Sequence, residues 1–184
     1  MSKTIIETGR LILREMVMTD LPAFWEIVGD DITMAAWGGA MSEEENLAGL
    51  EKQINGYREN GFGRWAAVLK DTGRVIGICG LQYCDTDKGS VLEVGYLFNR
   101  AFWHNGYAAE AAIASKRYAF DVLGEPEVFS LIRDTNLASI NVAIRNGMLV
   151  RGRFIKQYKG AGLPHYIFSA RKTEEQPCTH EPQN

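Results

Sequence analysis

The chain has 184 residues, of which 46% are hydrophobic and 23% charged, and its formal net charge is −3. This is enough chain for one domain with a real core, and the charge gives no basic field of the kind that gathers nucleic acid. No apolar run approaches the roughly 20 residues that span a bilayer, and the opening Met1-Ser2-Lys3-Thr4 has no apolar leader. The expectation is a cytoplasmic protein, monomer or homodimer, with no nucleic-acid and no membrane partner. The cysteines (Cys79, Cys84, Cys178) and histidines (His104, His165, His180) match no metal-ligand spacing, so no metal is expected and the thiols are read as free.

In chain order, residues 10–16 alternate as a strand. Thr19 or Asp20 then reads as the N-cap of a short helix over 21–28. Ser42-Glu43-Glu44-Glu45 is a capping box, and Leu47, Leu50, Ile54 and Tyr57 follow as an apolar helical stripe closed by Gly61. A meander comes next: strands at 64–70 and 74–84 around an Asp71-Thr72-Gly73 turn, then a turn at 85–89 and a strand at 91–98. The texture changes after Phe98. A loop at 99–105 leads to Gly106, which opens an Ala-rich helix to about Leu123 with a stripe of Tyr107, Ala111, Ala114, Tyr118 and Val122. A strand at 128–133, a helix at 137–146 between Asn136 and Gly147, and closing strands at 148–158 and 165–171 complete the pattern.

The fold class is therefore α/β (α+β), with flanking helices and a mixed, mostly antiparallel sheet of about seven strands. Its central β-α-β unit requires 91–98 and 128–133 to be parallel neighbours. Residues 1–171 form one domain, and the polar 172–184 is expected to be a disordered tail.

The chemistry is expected at Trp103-His104-Asn105-Gly106-Tyr107-Ala108, where a strand passes through a loop into a helix. Glycine permits a sharp turn and close backbone approach to a ligand. The first helical amides lack internal partners and, with the helix dipole, favour an anion such as a pyrophosphate. The segment is neither a Walker A loop nor a dinucleotide fingerprint.

Several pieces, in order and at matching separations, make the chain resemble the GNAT superfamily of N-acetyltransferases, and most closely its RimJ/RimL-type branch. They are Thr8-Gly9-Arg10-Leu11, Val75-Ile76-Gly77 with Gly80-Leu81, Leu92-Glu93-Val94-Gly95-Tyr96, Phe102 through Ala111, Asn136-Leu137-Ala138-Ser139, and Arg145-Asn146-Gly147-Met148. The resemblance implies acetyl-CoA as co-substrate. The backbone of 103–108 would hold its pyrophosphate, with Trp103 in the loop's first place as in the RimL branch. Tyr96, Leu97 and Phe98 would meet the pantetheine arm beside a bulge at Gly95. Asn136 and Ser139 would line that arm.

Direct attack needs a neutral amine. At pH 7 that costs roughly 4.6 kcal/mol for a lysine of pKa about 10.4, and about 1.4 kcal/mol for an α-amine near 8. The resemblance points to Glu93 as general base and to Ser139 as donor to the leaving thiolate, because Ala143 stands where many relatives carry a tyrosine. It points to the Leu97 amide as an oxyanion donor. Trp37 and Tyr83, with Trp65 and Tyr158, are expected to line an acceptor groove. The implied activity is acetyl transfer to a protein or peptide N-terminal amine. The alternatives are a small-molecule amine (antibiotic, polyamine or amino-acid-like) and a non-catalytic acyl-CoA-binding module.

Overall fold

The computed structural model describes residues 2–86, 89–158 and 160–174. The strands are β1 (Thr4–Glu7), β2 (Leu11–Arg14), β3 (Arg64–Leu69), β4 (Val75–Thr86), β5 (Gly89–Phe98), β6 (Glu127–Arg133), β7 (Leu149–Tyr158) and β8 (Ala161–Arg171). The helices are α1 (Leu21–Val28), α2 (Glu43–Asn60), α3 (Tyr107–Asp121) and α4 (Leu137–Arg145). Among the described residues the strands form one eight-stranded sheet in the order β1-β2-β3-β4-β5-β6-β8-β7. The pairing is antiparallel except between β5 and β6, the parallel pair that the crossover through α3 demands.

The expected seven strands become eight because Thr4–Glu7, too short to show a period of its own, folds back antiparallel on β2. Residues Asp85 and Thr86, read as turn, continue β4, and Thr86 pairs with Gly89. The last strand begins at Ala161 and not at His165, and it inserts between β6 and β7. This leaves β7 as the sheet edge.

The capping box forms as read: Ser42 Oγ accepts from the Glu45 amide at 3.1 Å and Glu45 accepts from the Ser42 amide at 2.8 Å. Asp20 precedes α1 but does not cap it; its carboxylate takes the Arg14 guanidinium and the Val17 amide instead. Leu47, placed on the buried stripe of α2, is exposed, and Asn46 is buried beside it. In α3 the buried face is Ala109, Ala111, Ala112, Ser115, Lys116, Ala119 and Phe120; of the expected stripe Ala111 is fully buried and Tyr107 and Tyr118 pack against the core, while Val122 points to solvent.

Helices α3 and α4 cover one face of the sheet, packing on Leu81, Leu92, Val94 and Phe98. Helices α1 and α2 cover the other face over Ala66, Val68 and Ile78. Residues Lys172–Glu174, expected to be disordered, form a 3-10 turn in which Lys172 Nζ donates to the Phe120 carbonyl at 2.6 Å and Glu174 pairs with Arg151. The rest of that tail, with Cys178 and His180, lies outside the described residues. Among the described residues no helix is long and apolar enough to cross a membrane.

Candidate active site

Gly106 is the N-cap of α3 at φ +81°, a left-handed conformation natural to glycine, and no side chain caps the helix there. His104 is left-handed too, at φ +63°, and no other non-glycine described residue has positive φ. Asn105 Nδ2 donates to the Phe102 and Trp103 carbonyls at 3.2 and 2.9 Å, bracing the loop from within. The N-terminal Thr8-Gly9-Arg10 segment braces it from outside. Arg10 donates to the Asn105 carbonyl at 3.0 Å, lies over the Tyr107 ring, and with Thr8 binds the Glu110 carboxylate. Burial works to raise the Glu110 pKa, but the Thr8 and Arg10 donors outweigh it and the net shift is downward. The result is an uncapped helix N-terminus presented by a fixed loop, which fits a pyrophosphate.

That loop leaves β5 where the sheet opens. The β5–β6 register is carried at Glu93↔Phe129 alone. Beyond it the Ser130 hydroxyl reaches back to the Val94 carbonyl at 2.8 Å, and the Leu131 amide finds Glu93 Oε1 at 3.3 Å. Because Val94 turns its backbone toward β6, strand alternation turns Tyr96 and Phe98 the same way and Leu97 toward β4. The Phe98 carbonyl is taken by the Trp103 indole at 2.7 Å. Tyr96 therefore offers its backbone to the gap, and Leu97, expected there, turns its amide toward β4 instead. The bulge expected at Gly95 is also absent, since β4 and β5 pair without a register shift through Gly80↔Gly95. Gly95 instead makes room: a Cβ there would lie 2.5–2.8 Å from the Arg64 guanidinium.

A partly open cleft passes through this opening. Its wall on the α4 side holds Tyr96, Asn136 and Ser139. Asn136 Oδ1 caps α4 by accepting from the Ser139 amide at 3.1 Å, so the Ser139 hydroxyl is not the cap and is left without a protein partner among the described residues. The Tyr96 hydroxyl ties the two sides together by donating to the Ser139 carbonyl at 2.8 Å.

The opposite wall holds Glu93, Arg64 and His165. Glu93 is buried and accepts from Arg64 at 2.9 Å and from the Cys84 thiol at 3.1 Å, besides the Leu131 amide. Burial and the Glu93 carboxylate push the Cys84 thiol up to about 12, so it is a donor here and not a nucleophile. His165 Nδ1 lies 2.8 Å from the Leu163 carbonyl and must carry the proton of that bond. Nε2 then holds the lone pair, with no protein partner among the described residues. Burial pulls the His165 pKa below its usual value, opposed by the Leu163 bond and by Glu93.

The protein-family model for an acetyltransferase (GNAT) domain matches residues 10–149. The chain belongs to the GNAT acetyltransferase family. It is 32% identical over 148 residues to the Bacillus subtilis protein YkkB, covering 80% of this chain and 86% of that one. Its fold is that of the GNAT-family acetyltransferase from Bacillus anthracis, with a TM-score of 0.80 at 21% identity over 95% of this chain and 100% of the other. It is also similar to the ribosomal-protein-S5-alanine acetyltransferase from Vibrio fischeri, with a TM-score of 0.73 at 17% identity over 96% and 100% of the two chains.

Of the acceptor-groove residues expected in this GNAT domain, Trp37 lies at the cleft, on the 3-10 turn Ala35–Trp37. Tyr83 does not. It is opposite Leu92, on the sheet face away from Glu93, where its ring lies tilted against Phe62 and its hydroxyl reaches Glu125 at 3.4 Å. Trp65 is core, 1% exposed and edge-on to Tyr118. The Tyr158 side chain lies outside the described residues. Sequence reasoning missed Arg64, Arg133, Lys156 and His165, all of which line the GNAT cleft. They come from four strands remote in sequence, and for the last three the signal that unites them is register: Arg133 and Phe154 both pair with His165, and Lys156 pairs with Leu163.

Proposed function

We propose that this GNAT protein acetylates the α-amine of an acceptor by direct attack on acetyl-CoA. The observation that carries the reading is the neutral His165 imidazole, its Nε2 open to the same cleft that the Tyr96 backbone and the Ser139 hydroxyl line. Acetyl-CoA supplies an activated acyl carbon as its thioester; the amides at 106–108 would hold the pyrophosphate and the Tyr96 backbone the pantetheine arm. The acceptor nitrogen bonds to the carbonyl carbon, the C–S bond breaks, and the amine proton passes to His165 Nε2. The Tyr96 amide faces the developing oxyanion, and Ser139 donates to the departing sulfur. Glu93, expected to be the base, already accepts from three donors, which suits it better to stabilising the imidazolium that His165 becomes.

A base with a pKa below the usual histidine value suits an α-amine near 8 better than a lysine near 10.4. This favours a protein or peptide N-terminus, the RimJ/RimL-type reading, which Trp103 and Ser139 also support. The second reading is a small amino-acid-like amine, which carries the same α-amine. The test is thermal stability with acetyl-CoA, CoA and ATP, followed by free-thiol release against peptide and amine panels. A ligand at a hundredfold excess over its Kd stabilises by about 2.7 kcal/mol, a rise of several degrees. Acetyl-CoA should give that rise and ATP none. Absence of a rise with millimolar acetyl-CoA would refute the proposal, and a rise with no turnover of any amine would favour the non-catalytic acyl-CoA-binding module.

A further inference from the structure

The cleft is cationic in a protein whose net charge is −3. Its charged lining is Glu93 against Arg64, Arg133 and Lys156. Arg64 is matched by Glu93 at 2.9 Å. Arg133 and Lys156 are half-buried, and among the described residues no carboxylate lies within ion-pair distance of either. Lys156 instead holds its ammonium 5.9 Å from the Trp37 ring centroid, across the cleft.

The register fixes how these cations stand. Residues directly opposite in antiparallel strands share a sheet face. Arg133 is opposite His165, and Lys156 is opposite Leu163, two residues along the same strand. Strands lie about 4.8 Å apart, so Arg133 and Lys156 flank His165 from the two neighbouring strands, roughly 10 Å apart across the sheet. A bare ammonium entering this site meets two uncompensated positive charges. An amine that also carries an anion a few atoms away has its nitrogen at His165 and its charge between the cations. The same field favours the neutral form of the amine, as attack requires.

We infer that Arg133 and Lys156 form an anion subsite, and that the acceptor is a primary amine bearing a carboxylate within a few atoms of the reacting nitrogen. The inference rests on the acetyl-transfer reading above and names the acceptor class for that same site. The carboxylate has two sources: a free amino acid, or an acidic side chain at the second position of a peptide.

The experiment compares kcat/KM, by thiol release, for the twenty L-amino acids and their α-amides, and for hexapeptides beginning Ser-Asp or Ser-Glu against Ser-Asn or Ser-Gln. At least a tenfold preference for the carboxylate member is expected in one arm, and that arm identifies the source. In Lys156→Met and Arg133→Met the preference should collapse toward one, mainly through the acceptor KM. Equal rates within every pair, or a preference untouched by both substitutions, or a defect confined to the acetyl-CoA KM, would overturn the subsite. If no amine is acetylated, the acetyl-transfer reading fails separately. The subsite is then read by melting temperature in the presence of CoA: N-acetyl-L-glutamate should raise it more than N-acetyl-L-glutamine amide, and the difference should vanish in Lys156→Met. Equal shifts would again overturn the subsite.

Discussion

His165 and Ser139 line one cleft, the His165 Nε2 and the Ser139 hydroxyl have no protein partner among the described residues, and each makes a separable prediction. Because burial lowers the His165 pKa, the imidazole reaches half-protonation only below pH 6.5. The acid limb of the kcat profile should therefore lie below pH 6.5, and His165→Gln should cut kcat at least a hundredfold while acetyl-CoA still raises the melting temperature. A limb that persists in His165→Gln and disappears in Glu93→Gln would return the base role to Glu93. At the head of α4 two neighbours divide structure from chemistry. Asn136 Oδ1 is the cap, so Asn136→Ala should cost about 1 kcal/mol by denaturant unfolding. Ser139→Ala, which removes no protein hydrogen bond, should leave stability within about 0.5 kcal/mol and lower kcat at least tenfold. A stability loss in Ser139→Ala matching that of Asn136→Ala would make the hydroxyl structural.

The loop between β5 and α3 shows how an element can be strained and still held. Two left-handed residues, His104 and Gly106, shape it, and only the second is glycine. His104→Gly should relieve about 1 kcal/mol of backbone strain, partly offset by the freedom glycine gains when unfolded, and should raise the melting temperature slightly. The restraint comes from Glu110, whose folded pKa is depressed below 4.5. Its contribution is present above the unfolded value and fades as pH falls through the folded one. With Arg10 half exposed, Glu110→Gln should cost about 1 kcal/mol at pH 7 and less at pH 3, checked by unfolding at both. This loop, the long helix after it and the parallel β5–β6 pair were legible in the sequence, because a glycine before an Ala-rich helix and a crossover connection are local signals. The brace was not: Thr8 and Arg10 meet Glu110 across a hundred residues of chain, with nothing periodic to announce it. His165 was hidden for the same reason. A histidine in a strand gains a role only once β8 is known to insert between β6 and β7, which sets it beside Arg133, and that order depends on packing. Tyr83 lies on the opposite face of the sheet from Glu93, and which face carries a β4 side chain to the cleft depends on how the helices pack on the sheet.

At the scale of the whole molecule the opening between β5 and β6 is a seam. On one side β1 to β5 form a continuous antiparallel ladder, and on the other β6, β8 and β7 form a second. The two meet at Glu93↔Phe129, through Ser130 and Glu93 reaching across with side chains, and through the Tyr96 hydroxyl on α4. Side-chain bridges of this kind replace the ladder bonds that a closed sheet would have, so the seam should open locally at lower free energy than either ladder. An extended arm lying against the Tyr96 backbone would add the missing strand and join the halves. Hydrogen exchange tests this directly. Without ligand, amides of β6 beyond Phe129 and of the first turn of α4 should exchange faster than those of β3 and β4. Saturating CoA should slow them, together with Tyr96, by at least tenfold, while β2 to β4 change little. Ser130→Ala, which removes the bridge to Val94, should speed exchange along the seam, and CoA should restore most of the protection. Uniform protection of both halves without ligand would show that the sheet is already one mechanical unit, and that its opening is a fixed slot and not a joint closed by the co-substrate.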